Sequence, residues 1–85
     1  MAENIAIFRI MPDEPGAEAK IKKALSNIKD AALKDVKVEP FAFGLNAVIA
    51  AFVLEEREGA IEALEQSLKK ISKVSDVRLE HVSRI

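Results

Sequence analysis

Eighty-five residues leave room for one domain spanning 1–85, and a composition that is 49% apolar and 32% charged is too hydrophobic for a disordered segment and too charged for a membrane protein. Thirteen basic against fourteen acidic residues give a formal net charge of −1, without the broad basic excess of a nucleic-acid binder. The chain has no cysteine, which excludes disulfide frameworks, thiolate metal sites and cysteine nucleophiles. The opening Met1-Ala2-Glu3-Asn4 has no basic leader region, and the longest apolar run, Ala47 to Leu54, is strand-sized rather than membrane-spanning. These features describe a small, soluble, cytoplasmic domain.

The first segment, Ile5 to Met11, is β-branched and apolar with one charge, and reads as a central strand ended by Pro12. Asp13-Glu14-Pro15-Gly16 follows as a turn that can start a helix, with an acid before the proline and the proline in the first helical turn. Ala17, Ile21, Ala24, Leu25, Ile28 and Ala32 then draw one apolar stripe at helical spacing, with Lys20, Lys22 and Lys23 off it. Val36-Lys37-Val38-Glu39 alternates as a short, half-exposed strand stopped by Pro40. After Phe41-Ala42-Phe43-Gly44, Leu45 to Leu54 reads as a second buried strand. Past the turn Glu55-Glu56-Arg57-Glu58-Gly59, a second helix puts Ala60, Ile61, Leu64, Leu68 and Ile71 on one face. Val74 to Ile85 alternates as a last strand until the apolar parity changes by Val82, which predicts a bulge or a peeling-away near His81.

The order β-α-β-β-α-β predicts an α+β, ferredoxin-like sandwich: a four-stranded antiparallel sheet with two helices on one face. That fold hosts many functions, so function must come from particular residues.

The catalytic inventory is thin. His81 is the only histidine, no serine lies in a nucleophile elbow, and the acids around Glu55, Glu56 and Glu58 lack ligand spacing. Three isolated glycines form no phosphate cradle. Phe8 and Phe52 sit in apolar runs and belong to the core. One segment stands out: Pro40-Phe41-Ala42-Phe43-Gly44 places two aromatics in a turn, where polar residues are usual. Gly44 is expected at positive φ, turning the chain into the second buried strand.

The run Glu39-Pro40-Phe41-Ala42-Phe43-Gly44-Leu45 resembles the archaeal translation elongation factor 1-beta family, as do the opening strand ending Arg9-Ile10-Met11-Pro12 and the closing Val82-Ser83-Arg84-Ile85. The resemblance covers essentially the whole chain in one register. It implies a guanine-nucleotide exchange factor for the elongation factor 1-alpha GTPase, with the same βαββαβ sandwich. It further implies two partner-binding sites. Phe43 matches the family's loop aromatic, which enters an apolar pocket on the GTPase; Phe41 and Gly44 flank it. Arg84-Ile85 matches a basic residue and an aliphatic one at the family's C-terminus, where eukaryotic members carry a lysine that reaches the magnesium and phosphate site. Arginine keeps the charge but not lysine's compact geometry. Arg78 and His81 depart from the acidic and small residues of eukaryotic members. Such an exchange factor needs no cofactor or nucleophile, only better binding to the nucleotide-free GTPase. The competing reading is a small-ligand regulatory domain of the same fold, although its expected glycine-rich turn after the first strand is missing.

Overall fold

Alternation governs the centre of the molecule. In β1 (Glu3–Pro12), residues Ala6, Phe8, Ile10 and Pro12 are buried, while the residues between them are half-buried. β3 (Asn46–Glu55) repeats the pattern with Val48, Ala50, Phe52 and Leu54. A period of two puts each set on one face of its strand. The structure, a computed structural model, describes residues 2–85. Its elements run β1, α1 (Glu18–Leu25), β2 (Ala32–Pro40), β3, α2 (Ala60–Lys69) and β4 (Val74–Arg84). The strands pair antiparallel in the order β2-β3-β1-β4, which is the ferredoxin-like sandwich expected from the element order.

Both helices cover the same face of the sheet. Ala17, Ile21 and Leu25 from the first helical region and Ala60, Leu64 and Leu68 from the second join the buried face of β1 and β3 in one cluster. Within it Phe8 and Phe52 meet edge to face, their centroids 6.4 Å apart. No polar or charged residue is buried among those described. The other face of the sheet carries Ile5, Ile7, Ile49, Ala51 and Val53, all half-buried.

The boundaries that differ most from the sequence reading are three around α1. The first helix stops at Leu25 instead of running on through Ile28 to Ala32. Ser26 turns its hydroxyl onto the Lys23 carbonyl (2.7 Å), and the Asn27 and Ile28 amides donate three residues back, closing the helix with a tighter turn. Ile28 still packs against the core from this exit, so the apolar spacing persisted beyond the helix. Ala32 instead opens β2, four residues before the expected strand start. Pro15 lies in the turn ahead of α1, with Gly16 at φ +89° after it, so it does not occupy the first helical turn.

The bulge expected near His81 is present. Ile7 faces His81 and Phe8 faces Leu79, leaving Glu80 as the extra residue. At the start of β4, Lys73 accepts from the Asp13 amide (2.8 Å) and places its ammonium 3.0 Å from Glu14, whose hydrogen bond and charge raise the ammonium's pKa. The described residues form an elongated body, 41 × 19 × 17 Å. No helix among the described residues is long and apolar enough to cross a membrane.

Phe52→Ala should lower stability by about 3–5 kcal/mol in denaturant titrations, because the core cannot collapse onto the lost ring. A loss below about 1 kcal/mol would contradict the central place of the Phe8–Phe52 pair.

Candidate functional site

The aromatic segment forms the tip of the β2–β3 hairpin. Pro40 pairs with Asn46 at the end of the ladder, the Phe41 amide donates to the Leu45 carbonyl (3.0 Å), and the Leu45 amide donates to the Ala42 carbonyl (2.9 Å). The two central residues both have positive φ, +55° at Phe43 and +77° at Gly44. Positive φ at both positions is the signature of a type I′ turn, whose twist matches that of the flanking strands. Gly44 therefore does what its position implied. A Cβ there would meet nothing within 4 Å, so its role is conformational and not a matter of space.

Phe43 is the unexpected member. Asn, Asp or Gly normally occupies this left-handed position, and a bulky side chain is strained there by about 1–2 kcal/mol. Its ring is 98% exposed, so no packing offsets the strain. Neither the turn nor the core calls for an aromatic here. Phe41 is also exposed, at 57%, and lies on the sheet face away from the helices. The Arg9 guanidinium sits over its ring, 5.7 Å from the centroid, and Glu80 lies 2.9 Å from Arg9 Nε. With Met11, Asp76 and Arg78 these residues line a hollow of about 140 Å³.

Arg84 and Ile85 occupy the opposite end. Arg84 pairs with Asn4 in the β1–β4 ladder, and the Ile85 amide donates to the Glu3 carbonyl (2.9 Å). The Arg84 guanidinium bonds the carboxylate of Glu56, in the turn before α2. Ile85 is 69% exposed, so its backbone holds the end and its side chain buries little. From Asn4 to Pro12 the strand rises over eight residue steps, or about 26 Å. The candidate residues thus form two exposed tips, not one pocket.

The remaining candidates resolve simply. His81 is exposed on the edge strand β4, and Lys20, Lys22 and Lys23 are exposed on α1. No group of three or more His, Asp or Glu residues with metal-holding geometry occurs among the described residues.

Residues 5–85 match the family model described as the EF-1 guanine nucleotide exchange domain. The chain belongs to this exchange-domain family. It is 38% identical over 88 residues to the elongation factor 1-beta of Methanocaldococcus jannaschii, covering 98% of each chain. It is 32% identical over 85 residues to that of Methanocorpusculum labreanum, covering 100% of this chain and 99% of the relative. Solved structures share the fold at low identity. The C-terminal domain of the MgtC protein from Mycobacterium tuberculosis superposes with TM-score 0.67 at 16% identity, over 96% of this chain and 87% of that one. The ACT domain from GTP pyrophosphokinase of Chlorobium tepidum does so with TM-score 0.59 at 18% identity, over 98% and 99%.

In this exchange-domain chain the sequence reading missed three things: the left-handed Phe43, the Arg9–Phe41 stack and the Glu56–Arg84 pair. None of the three has a local sequence signal: phenylalanine is not a left-handed residue by type, and the two contacts join residues far apart in the chain.

Phe43→Asn should raise stability by about 1 kcal/mol, since asparagine tolerates left-handed backbone and no packing is lost. Denaturant midpoints at unchanged slope measure this. A fall in the midpoint would mean that the exposed ring stabilises the free protein.

Proposed function

We propose that this chain is a guanine-nucleotide exchange factor that promotes GDP release from the elongation factor 1-alpha GTPase. The observation that carries the reading is the solvent-exposed phenylalanine held at a strained hairpin tip. A protein gains nothing in its free state from such a residue, whereas a desolvated aromatic anchor is worth ~2 kcal/mol or more at an interface. Family membership supplies the partner: the relatives are elongation factor 1-beta proteins, matched along nearly their whole length.

In this reading Phe43 enters an apolar pocket of the GTPase. Gly44 gives the hairpin its turn, and Phe41 flanks the contact. At the other end Arg84 acts at the GTPase's magnesium and phosphate site, beside the exposed Ile85. Arg84 already holds a carboxylate, that of Glu56, so meeting carboxylates of the GTPase exchanges one acidic partner for another. The bond is exposed and worth little in the free protein, so it is readily given up. The charge-assisted bonds gained would contribute about 1.5–3 kcal/mol to the nucleotide-free complex.

Exchange then follows from linkage. The factor binds both GDP-loaded and nucleotide-free GTPase but binds the empty state better, so GDP binding is weakened reciprocally. No bond is made or broken, so the factor is not itself an enzyme and uses no cofactor of its own. Neither nucleic acid nor a membrane takes part, and the factor works in the cytoplasm beside its GTPase.

Release of a fluorescent GDP from the GTPase tests this. The protein should accelerate release, Phe43→Ala should slow it about tenfold or more at limiting concentration, and Arg84→Ala should slow it comparably. Arg84→Lys should retain most of the activity, and raised magnesium should antagonise the wild type. No acceleration by the wild-type protein at saturation would overturn the proposal.

A further inference from the structure

The Arg9 cluster lies outside both tips, and its arrangement is costly for the sheet. Arg9 stands directly across from Arg78 in the β1–β4 ladder. Like charges facing one another across strands repel. The β4 bulge relieves this by inserting Glu80, whose carboxylate comes 2.9 Å from Arg9 Nε. Arg78, in contrast, makes no ion pair among the described residues. The Arg9 Nε is buried and lacks a well-aligned hydrogen bond, so Glu80 holds the guanidinium by charge rather than by direction. Its other contact is the Phe41 ring, over which the guanidinium carbon lies 5.7 Å from the centroid.

Phe41 is also a structural member of the hairpin. Its amide closes the loop on the Leu45 carbonyl, two residues before Phe43. A clamp on the Phe41 ring therefore restrains the whole tip relative to the sheet. We propose that Arg9 is a positioning residue: pinned by the bulged Glu80, it clasps Phe41 and sets the direction in which the Phe43 tip projects. The functional consequence rests on the exchange reading above; the clasp itself does not.

Removing the clasp leaves the backbone bonds of the hairpin intact but lets the tip swing. A swinging anchor must be ordered on binding, which weakens association without altering events once bound. The concentration for half-maximal GDP release should rise about threefold to fivefold in Arg9→Met, the range set by an exposed cation–π contact. The maximal rate should stay at the wild-type value. Arg9→Lys, which keeps a cation over the ring, should recover much of the loss. Phe41→Leu, which also trims a side chain flanking the contact, should show at least this loss, and adding Arg9→Met to it should cost little more, since the clasp is already gone.

The free protein provides an independent readout. Backbone ¹⁵N order parameters across residues 41–45 should fall in Arg9→Met and recover in Arg9→Lys, and the ring-current shift on the Arg9 side-chain protons should vanish in Phe41→Leu. Unchanged order parameters in Arg9→Met, or full additivity of the two losses, would overturn the clasp. If the free-protein signatures appear but the wild type does not accelerate GDP release, the clasp stands and the exchange reading fails.

Discussion

Strand β1 is the constraint on which the rest depends. It is paired on both sides, with β3 from Glu3 to Ile10 and with β4 from Asn4 to Pro12. Ladder bonds satisfy its backbone and the helices cover one face, so it acts as a stiff strut through the middle of the sheet. Each tip is tied to one end of it. Ile85 bonds Glu3, Arg84 pairs with Asn4, and Arg9, near the other end, reaches the hairpin through Phe41. The spacing between Phe43 and Arg84 is therefore a property of the sheet and not of either tip.

This division separates stability from recognition. The buried cluster is wholly apolar, and neither Phe43 nor Arg84 belongs to it. Changes of the Phe43 and Arg84 side chains should shift stability by about 1 kcal/mol or less, while changes at Phe8 or Phe52 act through the core. A strained residue can persist at Phe43 because the hairpin bonds around it, at Phe41, Ala42 and Leu45, over-determine the turn. The tip contacts to the GTPase, as proposed, would then use a scaffold whose geometry is set before binding, reducing what must be ordered on association.

Much of the fold was legible because its signals are local. The period-two burial of β1 and β3 is written in Ile5 to Met11 and Ala47 to Leu54, and the α2 stripe in Ala60, Leu64 and Leu68. The first helix misled because Ile28 lies at helical spacing and is packed on the core, yet Ser26 and Asn27 had already ended the helix. The start of β2 was hidden because Lys34 and Asp35 are polar residues at a bulge on an edge strand. Gly44 announced its own backbone, while Phe43 could not, since a left-handed phenylalanine has no sequence signature. The resemblance singled out Phe43 and Arg84 but carried no distance between them. Arg9 and Glu80 are far apart in sequence, and only the register of β1 against β4 brings them together.

The central claim is that two separate tips do different work, one by anchoring and one by acting at the nucleotide site. The most direct measurement is GDP release as a function of factor concentration for Phe43→Ala, Arg84→Ala and the double variant. If the tips divide the work, Phe43→Ala raises the half-maximal concentration with the plateau rate preserved, and Arg84→Ala lowers the plateau. The double variant then shows the sum of the two free-energy losses, within about 0.5 kcal/mol, as expected for sites this far apart. A common effect on the plateau from both single variants, with no further loss in the double, would show a single cooperative site and contradict the account.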